Sequence, residues 1–90
     1  MKPPAEFVQL AQCFYPGSYK KDATWDEWIA SVLALGASQT RRRIAKRYLA
    51  DLLASNASDD ELKKIWDATN PTYGFTRGLR HFLTLLRDAL

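Results

Sequence analysis

The sequence predicts an all-α fold, a compact bundle of about five short helices, and three observations carry that prediction. Apolar residues recur at three- and four-residue spacing in every long segment, and no strand-like alternation competes with that spacing. Ser or Thr stands three residues before a Glu at two places, Thr24 to Glu27 and Ser58 to Glu61, each the signature of a capping box that satisfies amide donors at a helix start. Pro or Gly then punctuates the chain where three of the periodic runs end, at Pro16-Gly17, Gly36 and Pro71.

Element by element, helix one follows Pro3-Pro4, with Pro4 suited to a first helical position, and Phe7, Leu10, Ala11 and Phe14 on one face. Residues 16 to 23 read as a loop. Helix two starts at Thr24 and buries Trp25, Trp28, Ile29, Val32 and Leu35, with Asp26, Glu27 and Ser31 outward, until Gly36 supplies a left-handed stop. Helix three runs from about Gln39 to Ala54 with a broad apolar arc of Ile44, Ala45, Tyr48, Leu49, Leu52 and Leu53. Helix four begins behind Ser58 and aligns Leu62, Ile65, Trp66 and Thr69. Pro71, lacking an amide proton, and the restriction it places on Asn70 force a turn after it. From Arg77 onward Leu79, Phe82, Leu83, Leu86 and Leu90 oppose Arg80, His81, Thr84, Arg87 and Asp88 in a two-faced fifth helix. Short connections favour a mostly antiparallel arrangement.

Ninety residues are one domain's worth, 1–90, and bury roughly 60 to 65 per cent of the unfolded surface, enough for one modest core. An apolar share of 47 per cent with three Trp, four Tyr and four Phe excludes the disordered class. Cys13 is alone, so no disulfide within the chain is expected, and no Cys/His set has metal-ligand spacing. The first six residues lack an apolar signal core, and no run approaches the roughly 18 to 20 apolar residues of a membrane span. The expectation is a soluble, cytoplasmic chain without membrane, cofactor or metal.

Several clusters admit both a structural and a functional reading. Arg41-Arg42-Arg43 with Lys46 and Arg47 places Arg42, Arg43, Lys46 and Arg47 opposite the apolar arc. A solvated helix face is the favoured explanation, because a net charge of +3 is modest for a nucleic-acid domain. The alternative is a helix-turn-helix in which residues 39–47 address bases and phosphates. Asp22, Asp26 and Glu27, and likewise Asp59, Asp60 and Glu61, compensate helix N-termini, with Lys63 and Lys64 four residues beyond Asp59 and Asp60. Equally, such carboxylates pair with basic residues of a partner and steer its approach. His81 reads as an exposed structural residue, since no oriented nucleophile or partner acid is visible. The three Trp sit at core spacing, and Cys13 reads as a small buried hydrophobe. Tyr15, Tyr19, Tyr73 and Phe75 lie in or beside loops, where aromatics serve as interface anchors or fold back as lids, and the sequence leaves both open.

Taken as a string, Ser58-Asp59-Asp60-Glu61-Leu62, then Trp66, Tyr73 and Leu79 through Phe82, Leu83 and Leu90, resembles the C-terminal part of the helical immunity proteins of bacterial contact-dependent growth inhibition systems. Phe7, Leu10, Phe14-Tyr15 and Thr24-Trp25-Asp26-Glu27 are similar to that family's N-terminal outline, so the likeness covers most of the chain, loosely, through caps and core positions. The resemblance implies a non-enzymatic, single-domain antidote that binds the toxin domain at the C-terminal end of a large exoprotein, expected to be a nuclease, as a 1:1 complex without direct nucleic-acid contact. The candidate toxin-binding residues are Tyr15, Tyr19, Asp22, Asp26, Glu27 and Tyr73, those least explained by packing five helices. Arg42, Arg43, Lys46 and Arg47 form the alternative interface.

Overall fold

The structure, a computed structural model, describes residues 2–14, 24–34, 38–69 and 78–90. Its five helices are α1 (Ala5–Ala11), α2 (Trp25–Ala34), α3 (Gln39–Ala54), α4 (Asp59–Ala68) and α5 (Leu79–Ala89), with no strand among the described residues. The radius of gyration, 12.0 Å, matches the roughly 12 Å of a compact domain of this length.

Both boxes form. Glu61 N–H donates to Ser58 Oγ at 3.2 Å while Ser58 N–H donates to the Glu61 carboxylate at 3.5 Å. Thr24 and Glu27 repeat this at 3.2 and 3.4 Å. α3 starts behind Ser38, whose Oγ accepts from Arg41 N–H at 3.1 Å, and stops where Asn56 adopts φ 61°, the left-handed conformation Asn tolerates best after Gly. Pro4 is the N-cap residue of α1 rather than its first helical position. The expected stop at Gly36 and turn at Asn70-Pro71 lie outside the described residues.

The terminal helix is central. α5 packs against α2, α3 and α4, and α1 lies on α3. Trp25 at the start of α2 meets His81 and Phe82 near the start of α5, whereas Ala30, Leu33 and Ala34 line the same groove as Ala89 at its end. α2 and α5 therefore run in the same direction. α3 runs against α5, because Arg42 in its first turns reaches Ala89 and Ala57, just past its end, accepts a hydrogen bond from Arg80. Of these two pairs, α3 and α5 follow the expected antiparallel arrangement and α2 and α5 depart from it, since helices that are neighbours in space need not follow one another in sequence.

Phe82 is the centre of the core. The rings of Phe14, Trp25, Trp28 and Trp66 surround it at centroid distances of 5.2, 5.5, 5.6 and 5.8 Å, three of them near perpendicular, the arrangement that ring quadrupoles favour. Tyr48 packs on Phe7 at 5.0 Å, and burial pushes its phenol pKa above the usual 10, because the anion loses its hydration.

Four expectations change at the level of single side chains. Cys13 is exposed, with its thiol donating to the Gln9 carbonyl at 3.4 Å; α1 ends at Ala11, and the following turn sends Phe14 inward instead. Trp25 is half-buried at the core's edge, while Leu33 and Ala57 join the core unannounced. Asp59 pairs with Arg80 at 2.9 Å across the fold rather than with Lys63, which turns to Asp67 at 2.8 Å. The fourth change, at Arg42, bears on function.

Candidate interaction surfaces

One end of the molecule is built around the N-terminal turns of α2 and α5 and the C-terminal cap of α4. Gln12 donates its side-chain amide to the Thr69 carbonyl at 3.0 Å, tying the chain that leads into residues 15–23 to the chain that leads into residues 70–77. The described residues beyond the two segments meet as well. Gly78, which follows 70–77, packs against the Trp25 ring, which follows 15–23; a Cβ at Gly78 would stand 3.0 Å from that ring. Gly78 also holds φ 79°, a conformation that strains any L side chain. The two segments are bounded by adjoining anchors at both ends.

Of the candidate residues, Tyr15, Tyr19, Asp22 and Tyr73 fall within those segments and lie outside the described residues. Asp26 and Glu27 are exposed beside the anchors, at the start of α2. Glu27 is also a cap, so one carboxylate both satisfies the Thr24 amide and faces solvent. In α4, Asp59 is taken by Arg80 and Glu61 by Ser58, which leaves Asp60 facing solvent. Arg80 additionally donates to the Ala57 carbonyl, so it clamps the α3–α4 turn to α5. His81 is exposed with its ring 5.9 Å from that of Trp25.

The other end gathers the starts of α3 and the ends of α2 and α5. Gln39, Thr40, Arg43, Lys46 and Arg47 are exposed. Arg42 is not the solvated residue that the sequence suggested. It lies one and two turns before the buried Ala45 and Leu49, at i+3 and i+7, so it extends the buried stripe rather than opposing it. Its guanidinium donates to the Ala89 carbonyl at 3.3 Å, where a cation complements the helix C-terminus. Its Nε is buried without an acceptor among the described residues. Arg42 forms a common wall between two shallow grooves, one of about 590 Å³ lined by Gln39, Arg42, Arg43, Lys46 and Leu90, the other of about 280 Å³ lined by Ala30, Leu33, Ala34, Arg42 and Ala89. The small residues of the second groove carried no signal in the sequence, because Ala is at home on any helix face. The place of Arg42 was legible from its spacing to Ala45 and Leu49.

Among the described residues no group of three or more His, Cys, Asp and Glu side chains is placed to hold a metal ion, and no helix is long and apolar enough to cross a membrane. What the arrangement offers is two chemically distinct surfaces for binding, separated along α5 by 11 residues, or roughly 16 Å at 1.5 Å per residue. Comparison with protein-family models, with curated proteins and with solved structures gives no match.

Proposed function

We propose that this chain is an immunity protein of the contact-dependent growth inhibition type, which binds one cognate toxin domain, 1:1, and occludes its active site or substrate approach in the cytoplasm. The observation that carries the reading is the double anchoring of segments 15–23 and 70–77, at Gln12–Thr69 and at Trp25–Gly78. It brings the described residues that border segments 15–23 and 70–77 to the same end of the bundle as the exposed Asp26 and Glu27. Aromatic anchors beside a carboxylate rim are suited to a basic protein surface such as that of a nuclease. The resemblance of Ser58–Leu62, Trp66, Tyr73 and Leu79–Leu90 to that family points the same way.

The test is co-expression with the toxin domain encoded immediately upstream. Protection demands almost no free toxin, hence nanomolar or tighter affinity, about 12 kcal/mol, and alanine at Tyr15, Tyr19 or Tyr73, or Asp26→Lys, is expected to abolish growth rescue without moving the melting temperature. Glu27→Gln, which keeps the cap acceptor, separates contact from folding at that position. Rescue lost only in step with stability would remove this surface from consideration.

The runner-up, a helix-turn-helix DNA-binding protein, draws on one observation: Gln39, Arg43, Lys46 and Arg47 share an exposed face. It requires sequence-specific duplex binding at near-physiological salt, abolished by reversing those charges.

A further inference from the structure

We propose that the trough between the C-terminal ends of α2 and α5 and the first turns of α3 is a docking site for an acidic amphipathic segment of a partner protein. Its apolar side chains would seat on Ala34, Ala89 and Leu90, and its carboxylates would meet Arg43 and Lys46. This surface is distinct from the toxin-facing end proposed above and does not depend on it.

The two grooves adjoin on either side of Arg42, so an occupant laid across it would meet an apolar half and a cationic half of one trough. The apolar half is lined by small side chains, Ala30, Ala34 and Ala89, which allow a backbone to approach closely, and by Leu33, while Leu90 adds an apolar contact beside the cations of the other half. The cationic half presents Arg43 and Lys46, exposed and one helical turn apart. α3 also directs its N-terminal partial positive charge there. Arg42 is pinned to the Ala89 carbonyl, and its desolvated Nε–H has no acceptor among the described residues. A donor of this kind is satisfied when a carboxylate oxygen arrives.

Charge selects an acidic occupant, and the apolar floor selects a protein segment over a nucleic acid. A phosphodiester backbone would use Arg43, Lys46 and Arg47 but would leave Ala34, Ala89 and Leu90 idle. A second copy of this chain is a poor occupant, because its most acidic helix, α4, turns Leu62 and Trp66 into its own core and has little apolar face to present. A helix with an apolar stripe and a carboxylate edge answers both halves of the trough.

The experiment is a titration of the isotope-labelled full chain, followed by amide chemical shifts, with three probes. The first is a helical peptide of about four turns, roughly 15 residues, with Leu on one face and Glu beside it. In the second, Ser replaces the Leu residues. The third is a short DNA duplex. The expected result is saturable binding of the first peptide, with shifts concentrated at Ala34, Gln39, Arg43, Lys46 and Leu90, and at least tenfold weaker binding of the second. Arg43→Glu with Lys46→Glu should weaken the first peptide tenfold or more while circular dichroism and melting stay unchanged, and Leu90→Gln should weaken it several-fold. Equal binding of both peptides, shifts located elsewhere, no binding up to about 1 mM, or a duplex bound more tightly than the peptide would each overturn the proposal.

Discussion

The two ends of α5 are made of different materials. Around its first turn, Phe82 sits among four aromatic rings contributed by residue 14 and helices α2 and α4, capping boxes close α2 and α4, and Arg80 bridges the chain to Asp59 and Ala57. Around its last turn there are alanines, two leucines and a row of cations, with Arg42 and the Ala89 carbonyl as the polar tie. Large rings contribute burial and directional contacts, so the first end is where stability is concentrated. Small residues allow close approach but bury little, and unpaired cations contribute almost nothing until a partner removes them from water. The second end is therefore free to change with little effect on folding.

Substitution at the aromatic end should produce the largest effect. Phe82→Ala is expected to lower stability by about 3–5 kcal/mol in denaturant unfolding, through lost transfer energy and the cavity left among four rings. A loss near 1 kcal/mol would mean that the rings repack and that the contrast between the ends is shallow. Gly78→Ala comes next. It combines a left-handed backbone with a Cβ meeting Trp25 at 3.0 Å, and a loss of about 1–2 kcal/mol is expected, with Trp25 fluorescence reporting the displaced ring.

At the basic end, Arg42→Ala and Arg43→Ala should separate two residues that look equivalent in the sequence. Arg42→Ala is expected to cost about 0.5–1.5 kcal/mol, for one hydrogen bond and the helix-terminal charge interaction, and Arg43→Ala close to nothing. Equal costs would show that the tie to Ala89 contributes nothing. The smallest effect belongs to Tyr48, midway along α3. Its folded pKa is raised by burial, so the unfolded chain ionises first as pH rises, at about 10. Stability is then fully present below that pH and declines above it. Tyr48→Phe should flatten the decline in melting temperature above pH 10, whereas an unchanged slope would assign it to the lysines.

The helices were legible because caps and periodicity act locally. Thr24 with Glu27 and Ser58 with Glu61 specify helix starts with side chains three residues apart, and the Leu79-Phe82-Leu83-Leu86 stripe specifies a buried face whatever that face meets. Of the candidate site, Asp26 and Glu27 were legible as exposed carboxylates at a helix start, while Tyr15, Tyr19, Asp22 and Tyr73 lie outside the described residues. Arg42 was misread because its charge was weighed before its register with Ala45 and Leu49.

By itself, then, the sequence determined the five helices, the capped starts of α2 and α4 and most of the residues that fill the core, since each depends on neighbours within about two turns of chain. The tertiary structure alone decided that α2 and α5 run in parallel, that Asp59 answers Arg80 and not Lys63, and that Arg42 closes over Ala89 between two grooves. Those outcomes join residues 21 and 47 positions apart in the last two cases, and at such separations the choice of partner is set by how whole helix faces pack together, a competition that local spacing does not encode.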